Sequence, residues 1–98
     1  MILARFRTQP EEKRKFVVDY SERLQEGEVL VSLFAIKVEP ADADMLNVSG
    51  GIHPDGDKVV LYTTGGKSLM DYKVTLQVET SDNNVVWEDE LQFMVEDI

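Results

Sequence analysis

The sequence of 98 residues has no cysteine. No disulfide can staple the fold, no thiolate can act as a nucleophile, and no cysteine-based zinc site can form. Histidine occurs once, as His53, beside Pro54 in a turn, which favours a surface position over a metal site or a catalytic pair. No stretch approaches the roughly 18 consecutive apolar residues that a membrane span needs. The opening Met1-Ile2-Leu3-Ala4-Arg5 places a charge after four apolar residues, too short a run for a secretory leader, so a cytoplasmic origin is expected. Serine lacks a Gly-x-Ser-x-Gly setting. Gly65-Gly66-Lys67-Ser68 lacks the earlier spaced glycine of a phosphate-binding loop. These absences leave no nucleophile–base pair and no cofactor motif, and the chain is expected to be neither an enzyme nor a cofactor binder.

Positive charge is also scarce. Ten Lys and Arg stand against nineteen Asp and Glu, a formal net charge of -9. Phosphate backbones recruit Lys and Arg, and anionic membranes repel acid, so neither nucleic acid nor membrane is an expected partner. Six of the ten basic residues lie between Arg5 and Arg23. Such a segment suits either docking on a neighbour's acidic face or guarding a strand edge. With acid this abundant, paired carboxylates carry little information. Asp55-Gly56-Asp57 is the cluster that could hold a calcium ion, but it has no distal Glu at the required spacing. Asp42 and Asp44 read as a solvated loop.

What remains is strand pattern. Tyr72, Val74, Leu76 and Val78 alternate with Lys73, Thr75, Gln77 and Glu79, the period-two mark of a strand with one buried face. Thr80 to Asn84 reads as a hairpin loop. The chain then returns over Val85–Val95 with Trp87, Leu91, Phe93 and Val95 on one parity. Asp89 breaks that parity, and a bulge near Trp87–Asp89 or an edge position is the expected remedy. Glu28–Glu39 is apolar on both faces, Val29, Val31, Leu33 and Ala35 on one and Leu30, Phe34, Ile36 and Val38 on the other. Such a strand is covered on its second face or meets another subunit. Lys58–Thr64 and Leu46–Val48 are further strands, and Gly50-Gly51 and Gly65-Gly66 are expected to end strands at positive φ. Phe16–Val18 is a short strand, and Asp19–Leu24 could form one helical turn ended by Gly27. The polar, proline-containing stretch 1–15 reads as an extended N-terminal arm, and residues 16–98 as one domain. Six or seven short strands with close turn signals and almost no helix predict an antiparallel sandwich or small barrel.

The run Gly65-Gly66-Lys67-Ser68-Leu69-Met70-Asp71-Tyr72-Lys73-Val74, with Thr80-Ser81-Asp82 after it, resembles the C-terminal half of immunoglobulin-like domains. The resemblance implies that Tyr72 is a corner tyrosine whose hydroxyl bonds backbone a few residues upstream, with Val74 where antibody domains carry cysteine. Adding Asp19-Tyr20-Ser21, Leu24, Glu26-Gly27-Glu28, Leu30 and Ser32, the chain is similar over about residues 16–96 to small tailed-bacteriophage virion proteins of the fibre-tail adaptor or head-tail type. It departs from that pattern at Val29 and Val31, where Thr or Ser is preferred, and at Ala35, where a tryptophan is.

The resemblance implies an immunoglobulin-like antiparallel β-sandwich and a passive virion part that binds itself and tail, portal or capsid proteins, in a virion assembled in the host cytoplasm. The expected contacts are Phe6, Arg7, Phe16, Val29, Val31 and Leu33, with Tyr72 and Trp87 defining the fold. Trp87 could instead anchor an interface. Two other readings stay open: a capsid decoration protein of the same fold, and a carbohydrate- or ligand-binding module that would use exposed aromatics such as Tyr62.

Overall fold

The computed structural model describes residues 2–41 and 44–96, so the Asp42 part of the expected loop lies outside the described residues. Among the described residues there are seven strands and no helix: β1 (Ile2–Thr8), β2 (Lys13–Asp19), β3 (Leu30–Glu39), β4 (Leu46–Ile52), β5 (Lys58–Gly65), β6 (Asp71–Thr80) and β7 (Val86–Val95). They form two sheets, one ordered β1-β7-β6-β3 and the other β2-β5-β4. Neighbours pair antiparallel except β1, which runs parallel to β7. The second, fifth and fourth strands share one sheet and the third, sixth and seventh the other, the division found in immunoglobulin-type sandwiches.

Alternation builds the core. Tyr72, Val74, Leu76 and Val78 of β6 and Leu91, Phe93 and Val95 of β7 turn inward and are almost wholly buried. Val59 and Leu61 of β5, Leu46 of β4 and Val18 of β2 meet them from the other sheet. Each such side chain stabilises the fold by about 1.5–3 kcal/mol through its removal from water. Phe6, Phe16 and Phe93 close the β1/β2 side with ring centroids 4.6 to 5.2 Å apart.

The stretch expected as an arm is structured within the sheets. Residues 2–8 zip onto β7, with Phe6 opposite Phe93, and residues 13–15 open β2. The physical reason is a short period-two pattern, Ala4 and Phe6 against Arg5 and Arg7, that places two apolar groups on the core.

The doubly apolar strand has a different resolution from the two faces expected. Two register shifts in β3, between Leu30 and Ser32 and between Leu33 and Ala35, each insert an extra residue against β6. Leu30, Leu33, Ile36 and Val38 therefore oppose the inward Thr80, Val78, Leu76 and Val74. Val31 and Phe34, the extra residues, are left exposed.

Asp89 needs no bulge against β6, because β6 and β7 pair one to one from Glu79/Val86 to Asp71/Met94. It points inward and is buried. Gly50-Gly51 lies inside β4 rather than ending it, and neither residue has positive φ. A Cβ on Gly50 would stand 2.1 Å from the Val60 carbonyl oxygen, so close approach of β5 demands glycine there. Gly65 and Gly66 do have positive φ, 77° and 95°.

The Tyr72 hydroxyl accepts a hydrogen bond from the Lys67 amide at 2.9 Å and donates to the Asp44 carbonyl at 3.4 Å, pinning the β5–β6 turn at the sandwich end. The β6–β7 turn closes by a bond from the Val85 amide to the Asp82 carbonyl, with Asn83 and Asn84 both at positive φ, the backbone of a type I′ turn.

Candidate protein interface

No catalytic constellation assembles among the expected residues. The Asp57 carboxylate receives Lys58 Nζ at 2.9 Å, and the Asp55 carboxylate lies 3.5 Å from His53 Nδ1. Among the described residues no group of three or more His, Asp or Glu could hold a metal ion.

The β2–β3 loop is held by a buried carboxylate. Asp19 begins it by accepting the Ser21 amide at 2.8 Å, and one turn follows, with the Leu24 amide donating to the Tyr20 carbonyl. This is the single turn that the residues suggest, without continuing into a helix. Tyr20 is buried, and its hydroxyl donates to Asp89 Oδ2 at 2.9 Å. Arg23 Nη1 donates to the same oxygen at 2.8 Å. The Arg23 guanidinium also lies over the Trp87 ring at 4.4 Å, and Trp87 stacks on Tyr20 with centroids 5.9 Å apart. Burial, and then the Asp89 charge, raise the Tyr20 phenol well above its ordinary pKa. Trp87 thus borders the core and supports the loop. The break in parity at Asp89, two residues after Trp87, was visible in the sequence, but a bulge or an edge position was expected there and not a buried charge. Its partners, 66 and 69 residues away, were not visible there.

A second feature is a cationic edge. The Arg14 guanidinium donates to the Arg7 carbonyl at 3.0 Å, so β1 and β2 lie together. Arg5, Arg7, Lys13, Arg14 and Lys15 are all exposed along them. Beside β1 is a groove of about 320 Å³, lined by Arg5, Phe6, Arg7, Asp71, Gln92 and Met94.

A third is a group of exposed apolar residues at the diagonally opposite corner of the larger sheet. Val29, Val31 and Phe34 on the β3 side and Val85 and Val86 at the start of β7 are 40 to 53% exposed. They do not form one unbroken surface: Ser32, Glu79 and Val86 stand in one row across β3, β6 and β7, so polar groups lie between the β3 residues and Val86.

Of the expected contact residues, Val29, Val31 and Arg7 are at the surface. Phe6, Phe16 and Leu33 instead pack against the core. Phe34, within the β3 stretch that could meet another subunit, is exposed as well, as are Val85 and Val86, which were not singled out. Leu69 was missed too: it is 84% exposed and held at φ 64° on the β5–β6 turn, a conformation unusual for leucine. Tyr62 is exposed on the outer face of the smaller sheet, between Lys15 and Ser49.

Residues 8–96 match the model of a family described as Podophage GP4 fiber-tail adaptor protein gp77. No curated protein and no solved structure matches the chain.

Proposed function

The chain belongs to the podophage GP4 fiber-tail adaptor family, and from that membership we propose that it is a junction piece joining fibre and tail components of a phage particle. The family match over residues 8–96 carries this reading. It agrees with a rigid sandwich that offers unlike surfaces, a cationic edge on β1–β2 and exposed apolar residues on β3 and at the β6–β7 turn. A junction must hold two neighbours at once, and two surfaces of different chemistry let each neighbour find its own place. The action is passive: binding positions the parts, and no bond is made or broken. Several copies act together in the particle, and the protein reaches the virion after assembly in the host cytoplasm.

Two measurements test this. Mass spectrometry of purified particles should detect the protein among the tail components. Particles assembled without it should retain capsid and DNA but carry no fibres in electron micrographs. Fully fibred particles lacking the protein would refute the adaptor role.

A further inference from the structure

The outer face of the smaller sheet carries side chains that the fold itself does not use. Alternation turns Val59, Leu61 and Thr63 of β5 into the core, so Tyr62 and Thr64 point outward. Register then sets two outward rows across β2, β5 and β4: Lys15, Tyr62 and Ser49 in one, Lys13, Thr64 and Asn47 in the next. All six residues are exposed. None of them makes a side-chain hydrogen bond or ion pair among the described residues. A depression of about 360 Å³ opens between Lys13, Asn47, Ser49, Tyr62 and Thr64, enough for a sugar ring and its substituents. Val17 and Val60, paired in the row on the other side of Tyr62, continue its apolar surface.

Charge on this face is inverted relative to the chain. The whole protein carries a formal -9, yet the two rows hold two ammonium groups and no carboxylate. The acids that flank them are set apart. Glu11 and Glu12 lie in the turn before β2, where Glu12 accepts the Gln9 amide. Asp19 stands opposite Lys58 at the far end of β2, and Asp44 lines the neighbouring depression beyond Asn47.

We propose that this face binds a sugar ring carrying a carboxylate, the chemistry of uronic and sialic acids. Tyr62 supplies an aromatic surface for the apolar side of the ring. Asn47, Ser49 and Thr64 supply donors and acceptors for its hydroxyls, and Lys13 and Lys15 supply the charge that meets the carboxylate. A protein partner fits less well, because the cores of protein interfaces are depleted in Lys and Ser. A nucleic-acid strand stacks successive bases on successive rings, and these rows expose a single ring. The inference goes beyond the adaptor reading and does not depend on it.

An amide NMR titration with galacturonate oligomers and with sialyllactose, against lactose as the neutral control, tests the site. At least one of the charged sugars should shift the amides of residues 13–17, 47–51 and 60–64, with a Kd on the order of 1 mM. Lactose should bind about tenfold more weakly, and added salt should weaken only the charged sugar. Tyr62→Ala should weaken binding about tenfold, and Lys13→Gln/Lys15→Gln about fivefold. These positions are exposed, and unchanged amide shifts in the other sheet check that each variant folds. No shift on this face with either charged sugar overturns the inference, as do shifts that survive both variants. Tighter binding of an oligoglutamate or an oligothymidylate to the same amides also overturns it, and assigns the face to an acidic peptide or to a nucleic-acid strand. The adaptor reading is decided separately, by the composition and fibre content of particles.

Discussion

Arg23 reaches from the β2–β3 loop to place Nη1 2.8 Å from Oδ2 of Asp89, a carboxylate 2% exposed in the middle of β7. Asp89 has left water and is compensated by Arg23 and the Tyr20 hydroxyl. Losing the cation strands the charge. Arg23→Met should therefore destabilise the fold by about 2–3 kcal/mol, below the usual 3–5 because the Arg23 side chain is a third exposed and water can move in. Asp89→Asn keeps a hydrogen-bond acceptor for Tyr20 and should cost less, about 1–2 kcal/mol. Urea unfolding midpoints decide the order, and the reverse order would show that Arg23 is not what makes the burial tolerable.

Tyr20 makes the same cluster sensitive to alkali. Burial foremost, then the Asp89 charge, raise its phenol above the ordinary value, and Arg23 opposes them weakly. In the unfolded chain the phenol ionises near pH ~10. Below that both states hold the proton and the stabilisation is complete. Above it the unfolded state releases a proton that the folded state keeps, so stability falls as pH rises toward the folded value. An ultraviolet titration should show a tyrosine ionising above the ordinary phenol range, and Tyr20→Phe should remove that step. Loss of a step at the ordinary phenol value instead would contradict this.

Tyr72→Phe should cost about 1–2 kcal/mol, because it removes the acceptor of the Lys67 amide and the donor to Asp44 while leaving the buried ring in place. Hydrogen exchange locates the loss. The Lys67 amide should lose protection while the amides of β6 keep theirs.

Gly50 and Gly51 are adjacent yet should answer alanine differently. A Cβ at Gly50 would meet the Val60 carbonyl oxygen at 2.1 Å, whereas one at Gly51 would meet nothing within 4 Å. Gly50→Ala should cost about 2 kcal/mol or more by forcing β4 away from β5. Gly51→Ala should lie within about 0.5 kcal/mol of wild type or slightly above it. Thermal melts of the two variants should separate them clearly.

Thr63 in β5 is 1% exposed, and its hydroxyl is buried with no hydrogen-bond partner. Thr63→Val keeps the shape and removes that unmade bond. It should raise stability by about 1 kcal/mol, read as a higher urea midpoint. A loss of stability would mean that the hydroxyl is satisfied in solution.

The sequence was most informative where polarity alternates without interruption. Tyr72–Val78 and Leu91–Val95 read directly as half-buried strands, because a two-residue period needs no partner to be recognised. The strand end at Gly65-Gly66 and the hairpin loop over 80–84 were legible too, whereas the same positive-φ reading of Gly50-Gly51 failed, because there the close approach of β5 and not a turn requires glycine. Phe6, Phe16 and Leu33 show the limit. Their apolar character was plain, but whether an aromatic ring meets its own core or a neighbour depends on where three separate strands bring it.

By itself, then, the sequence determined an all-β chain of alternating strands and a surplus of negative charge. Tertiary structure alone decided the rest. Two bulges in β3 chose which of its apolar residues stay wet, and the parallel pairing of β1 turned an apparent arm into a sheet edge lined with cations. Asp89 found its compensating groups 66 and 69 residues away. The physical reason is range. Polarity period and turn geometry act between residues close along the chain, while bulge placement, sheet order and the pairing of a buried charge are settled by contacts between distant segments.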